Sequence, residues 1–170
     1  NPETYAMVID NLAYSKFKLG DETELPKLFY KALKIRDSLK IYDGIVESSL
    51  HLSGYFLSKN DSVKAFNFAQ NAEKNAVKSN YNEGLLESYL QLSKLEPGEK
   101  GKTYLNKYIK LSDSLQQKER EIREKFTRIA YETGEIEKVN VVVTKKNGLL
   151  TILILVGGAL FTMIFIYIRQ

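Results

Sequence analysis

Cysteine is absent from the 170 residues, so disulfides and thiolate metal sites are excluded. Histidine occurs once, at His51, so a protein metal site would need carboxylates for its remaining ligands, and no such cluster is evident. No run of five or six like charges occurs. The formal net charge is +4, with Lys and Arg interspersed among Asp and Glu. That pattern describes solvated helix faces rather than a nucleic-acid patch. A secretory signal is also missing. The chain opens at Asn1 without a Met and runs directly into an apolar-periodic segment, which leads us to expect a fragment or processed form with further repeats upstream.

What is present divides into a polar part, residues 1–147, and an almost purely apolar end. Within the polar part a period of 40 stands out. Gly44-Ile45-Val46-Glu47-Ser48-Ser49-Leu50-His51-Leu52-Ser53 matches Gly84-Leu85-Leu86-Glu87-Ser88-Tyr89-Leu90-Gln91-Leu92-Ser93 at six identical positions. A further shift of 40 brings Leu12-Ala13 onto Leu52-Ser53, Asp21 onto Asp61 and Ala32 onto Ala72. Each of the three units reads as a pair of helices. The first helix carries Leu followed by a small residue that admits a close neighbour. Gly20 and Asn60 suit a left-handed helix stop, and Asp21 and Asp61 suit the N-cap of the helix that follows. The second helices carry Leu25, Phe29, Ala32 and Leu33, then Ala65, Phe66, Ala69 and Ala72, as apolar stripes. In the third unit Pro97-Gly98 ends the first helix early, and its partner is expected to restart near Lys102 or Thr103.

Leu12, Ala13, Gly20, Phe29 and Ala32, with Leu52, Ser53, Ala65, Ala72, Leu92 and Ser93, resemble the tetratricopeptide-repeat family in a long form. The resemblance implies an all-α, tetratricopeptide-like solenoid over residues 1–112, right-handed, with a concave face lined by the first helices. By register that face is formed by Asp10, Asn11, Tyr14, Glu47, Leu50, His51, Glu87, Leu90 and Gln91, and its expected ligand is a peptide or protein.

Residues 113–147 read as a long charged helix. Leu115, Ile122, Ile129, Ile136, Val143 and Leu150 recur every seven residues, one seam of a heptad. The second seam, Glu119, Phe126, Thr133, Asn140 and Asn147, is poor. Either one stripe packs on the last repeat or the helix pairs with a second copy as a parallel homodimer. Residues 148–168 carry no charge, and such a helix spans roughly 31 Å, about one hydrocarbon core. Lys145, Lys146, Tyr167 and Arg169 suit the two interfaces, and Gly158 with Thr162 suits a small-residue helix contact.

The segments Tyr108–Leu115, Phe126–Thr133, Ile136–Asn140 and Tyr167-Ile168-Arg169-Gln170 resemble the repeat-containing sensor histidine kinases of Bacteroidota. That resemblance implies repeats in the periplasm, one helix through the bacterial inner membrane, and a kinase downstream. Two lysines before the span and one arginine after it lean the other way, and the family orientation is preferred. The alternatives are a membrane-anchored adaptor and the sensor part of a membrane-bound helix-turn-helix regulator.

No catalytic constellation is expected in this chain, and neither a cofactor nor nucleic acid. His51 lacks the acidic neighbour of a phosphoacceptor. Glu47 and Glu87 read as solvated positions rather than an acid/base pair. Tyr5, Tyr14, Tyr55 and Tyr89 read as stacking residues. Gly157-Gly158 follows no strand, so it is no phosphate loop.

Overall fold

The computed structural model describes the backbone of residues 1–169. The side chains at 159–162, 165, 167 and 168 lie outside that description, so the expectations for Thr162 and Tyr167 fall outside it too. All described secondary structure is helical: α1 (Pro2–Leu19), α2 (Lys27–Ser38), α3 (Tyr42–Ser58), α4 (Ser62–Ser79), α5 (Asn82–Leu95) and α6 (Gly98–Arg169). The odd helices begin at Pro2, Tyr42 and Asn82, so their starts keep the 40-residue spacing of the sequence. The chain forms two compact units, Asn1–Leu115 and Gln116–Gln170.

In the first unit each helix packs on the next, and α3 also touches α1 and α5. The odd helices therefore form one layer and α2 and α4 the other. Between the layers lie Ala13, Phe29, Leu52, Tyr55, Phe56 and Ala65, with Val46, Ala72 and Ala76 further along. Ala65, Ala69, Ala72 and Ala76 are all fully buried, so α4 presents a stripe of methyl groups against which α3 can lie close. Leu12 departs from the repeat pattern. Its counterparts Leu52 and Leu92 are fully buried, whereas Leu12 is 47 % exposed, because α1 packs only on α2 and α3.

Local chemistry sets the helix ends. Gly20 takes φ 75° at the α1 stop, and Asn80 takes the same left-handed region after α4. Asp61 caps α4 by accepting from the Lys64 amide. Asp21, expected to do likewise for α2, does not. It accepts from the Thr23 amide in the loop, and α2 starts only at Lys27, after a cis Leu25–Pro26 bond. Leu25 thus lies before the helix rather than on it. The sixth helix also starts earlier than expected, at Gly98 rather than near Lys102.

Lysine partners draw both aspartates below the usual carboxylate range. The Lys16 ammonium bonds Asp21 at 2.6 Å and the Lys64 ammonium bonds Asp61 at 2.7 Å. A depressed carboxylate pKa stabilises the fold above the ordinary carboxylate range, and that contribution fades as pH falls through the lowered value.

The first turns of α6 belong to the first unit. Lys107 lies over the rings of Tyr89 and Tyr104 and pairs with Glu73 at 3.3 Å. Partial burial opposes its charge, yet Glu73 keeps its pKa raised. In the second unit α6 continues through the heptad seam. Ile122, Ile129, Ile136, Val143 and Leu150 are all exposed. The helix is long and apolar enough to cross a membrane, and its most apolar stretch is exposed throughout.

Gly84 tests the close approach of α3 and α5. A Cβ there would stand 2.5 Å from Val46 Cγ1 and 2.7 Å from Tyr81 Cδ1, and Val46 is fully buried. Overpacking of this kind costs about 1–3 kcal/mol, offset by up to about 1 kcal/mol of helix propensity. Gly84→Ala should therefore lower the thermal midpoint followed by circular dichroism of the detergent-solubilised chain; an unchanged or higher midpoint would show that Val46 yields freely.

Candidate functional site: a groove across the odd helices

The groove rests on a buried polar cluster. Asp10 of α1 has no exposed surface, and Arg36 of α2 retains 3 %. Arg36 Nη1 donates to Asp10 Oδ2, to the Gly44 carbonyl and to Ser48 Oγ, each at 2.8 Å. Its Nη2 donates to Glu47 Oε2 at 3.1 Å. Ser48 Oγ in turn donates to Asp10 Oδ1 at 3.1 Å. A Cβ at Gly44 would fall 2.8 Å from Arg36 Nε, so the glycine leaves the room that the guanidinium occupies. One side chain thereby ties α1, α2 and α3 together, and every buried side-chain polar atom among the described residues has a partner.

His51 connects this cluster to the surface. Its Nδ1 lies 3.1 Å from Asp10 Oδ2. A carboxylate accepts, so this hydrogen bond is donated by Nδ1. The imidazole stacks on Tyr14 with centroids 4.2 Å apart and planes 18° off parallel. Tyr14 is 38 % exposed. The pair forms a flat aromatic floor held from below by Asp10 and Arg36.

Above that floor lies an open groove of about 360 Å³, lined by Tyr14, Phe17 and Lys18 of α1, Glu47, Leu50, His51 and Gly54 of α3, and Glu87 and Gln91 of α5. Six of the nine residues placed on this face by register line it: Tyr14, Glu47, Leu50, His51, Glu87 and Gln91. Asp10 does not. It sits beneath the floor as the anchor of Arg36, because a carboxylate one turn before Tyr14 points inward to the guanidinium. Asn11 is exposed and Leu90 half-buried, both outside the lining. Register alone missed Phe17, Lys18 and Gly54, although they lie three or four residues beyond Tyr14 and His51 on the same helix faces. It also missed Arg36, the residue on which the cluster depends.

The two layers differ in charge. α1, α3 and α5 carry Glu3, Asp10, Asp43, Glu47, Glu83 and Glu87 against Lys16, Lys18 and Lys94. α2 and α4 carry Lys27, Lys31, Lys34, Arg36, Lys64, Lys74 and Lys78 against Asp37 and Glu73. Glu3, Asp43 and Glu83 stand in first turns, where a negative charge complements the helix dipole. Among the described residues no group of three or more His, Cys, Asp or Glu converges as metal ligands would.

Comparison with known proteins returns no match: no family model, curated protein or solved structure aligns with this chain.

The polar cluster has an apolar counterpart. At offset 40, Arg36 corresponds to Ala76 and Asp10 to Leu50, and there Val46, Leu50, Ala72, Ala76, Tyr81 and Leu85 pack without charge. Removing one member of a buried pair strands the other, at a cost of roughly 3–5 kcal/mol, whereas replacing both by apolar groups is often neutral. Arg36→Met should therefore strongly destabilise the first unit, and adding Asp10→Leu should recover most of the loss in chemical denaturation. A double variant as weak as Arg36→Met alone would refute this account of the cluster.

Proposed function

We propose that this chain is the interaction and membrane-spanning region of a signalling protein. The first unit is a tetratricopeptide-like repeat array that holds a peptide or protein segment in the groove over Tyr14 and His51. The observation that carries this reading is the groove itself. It runs across three helices whose starts keep one 40-residue spacing, and repeat arrays present their ligand surface along such equivalent helices. Its floor is rigid, because Tyr14 leans on a histidine that a buried carboxylate fixes. A preordered aromatic surface loses little side-chain entropy when a ligand covers it.

The helix that leaves this unit carries the apolar segment, which supports a single-pass membrane anchor; the resemblance to sensor histidine kinases is what puts that anchor in the bacterial inner membrane with the repeats in the periplasm. Lys107, held by Glu73, Tyr89 and Tyr104, joins the start of that helix to α4 and α5. A rearrangement among the repeats therefore reaches α6 through contacts already formed. The exposed heptad seam, Ile122 to Leu150, suits pairing with a second copy and transmission of that change to an output module such as a histidine kinase. This chain itself carries no catalytic role in the reading.

Two measurements test it. Chain synthesised with bilayers should stay in the membrane pellet after alkaline carbonate extraction. Replacing Leu153 and Val156 by lysine should release it, since each charge at mid-span costs about 2.5–3.5 kcal/mol; retention of that variant would sink the anchor. For the groove, peptides selected from a random library on the detergent-solubilised chain should lose at least about tenfold in affinity (roughly 1.4 kcal/mol) when Tyr14, His51 and Gln91 are changed together to Ala. Equal affinity for a variant that still shows a cooperative melt would place recognition elsewhere.

A further inference from the structure

The two equivalent glutamates of the groove are treated differently by the fold. Glu47 has a cation beneath it, the guanidinium of Arg36 at 3.1 Å. Glu87 occupies the same place one repeat later, and the residue corresponding to Arg36 is Ala76, fully buried and apolar. Ser88, the counterpart of Ser48, turns its hydroxyl back to the Gly84 carbonyl at 2.6 Å. Glu87 is left with one contact, a 3.4 Å hydrogen bond donated by the Gln91 amide, which also lines the groove. Glu87 stands in the second turn of α5, past the amides that a first-turn acid neutralises, so the helix dipole does not account for it.

We propose that the groove takes a peptide segment bearing lysine or arginine, with its cation on Glu87 and its alkyl stem and backbone across Tyr14 and Leu50. The internal pair serves as the template: the ligand supplies to Glu87, from the open side, what Arg36 supplies to Glu47 from below. A carboxylate, an amide oxygen from Gln91 and an aromatic face form a set that recognises an ammonium or guanidinium group. The surrounding charge agrees, since the odd-helix layer is acidic while the protein as a whole is net +4. A basic ligand is thus drawn to this layer and repelled by the lysine-rich even helices, which selects the face as well as the ligand. Lys18, over Tyr14 at 5.8 Å, closes the α1 end of the groove to further positive charge and sets the direction of the segment.

This inference rests on the groove binding a peptide at all, and the test separates the two. The probes are fluorescent hexalysine and the same peptide with every side chain acetylated, titrated onto the full chain in a neutral detergent. Hexalysine should bind, its acetylated form should bind at least about tenfold more weakly, and Glu87→Gln should remove about the same factor, the value of one charge-assisted hydrogen bond. Glu119→Gln on α6, whose carboxylate already pairs with Arg123, should leave hexalysine binding unchanged. Equal binding of both peptides, or indifference to Glu87→Gln, overturns the cation assignment while library peptides that need Tyr14 keep the groove. If neither probe nor any library peptide needs Tyr14, His51 and Gln91, the groove reading fails with it.

Discussion

The first unit depends on a buried guanidinium. Arg36 reaches from the second layer into the first, and its donors meet a carboxylate, a carbonyl and a hydroxyl on two different helices. A purely apolar interface between α1 and α3 could slide, since dispersion has little directional preference. Hydrogen bonds at 2.8 Å from one planar group define a single register. Burial of the pair does not make it a large source of net stability, because desolvating both charges consumes most of the attraction. Its contribution lies in specifying how α1, α2 and α3 meet, and the groove floor inherits that geometry through Asp10 and His51.

The next interface, where α3, α4 and α5 meet, answers the same architectural demand differently. Val46, Ala72, Ala76, Tyr81 and Leu85 fill the space with methyl groups and a ring, and Gly84 admits the approach that Gly44 provides for the guanidinium. Two solutions to one packing problem therefore sit side by side, one polar and one apolar. Their difference propagates to the surface, where one glutamate is paired with a cation from within and its equivalent is not.

Much of this was legible in the residues. Self-similarity at 40 positions located the odd helices, and small residues located the close contacts, because both signals come from the periodic demand of stacking one helix pair on another. The length and apolarity of the final segment were equally plain. Three features were not. The α2 start was misplaced because Asp21 has the chemistry of a cap, yet Pro26 lies too close for a helix to run through it. Register puts Asp10 on the groove face, because it gives a helix face but not which polar side chain finds a buried partner. That partner, Arg36, corresponds to Ala76 rather than to a second arginine at offset 40, so a search for repetition passes over it. What repetition conceals is the departure from it, and here the departure is the polar cluster.

The same reasoning bears on how a groove ligand could act at a distance. Glu47 belongs to both systems: its carboxylate accepts from Arg36 while its side chain, 46 % exposed, lines the groove. Under the proposed reading, a ligand cation that reached Glu47 would compete with Arg36 for that carboxylate. Arg36 cannot follow it outward without giving up Asp10, Ser48 and the Gly44 carbonyl together, so a small electrostatic change on the surface is felt by all three helices at once. In the proposed reading, the polar interface of α1, α2 and α3 is the one joined to the groove, through Glu47.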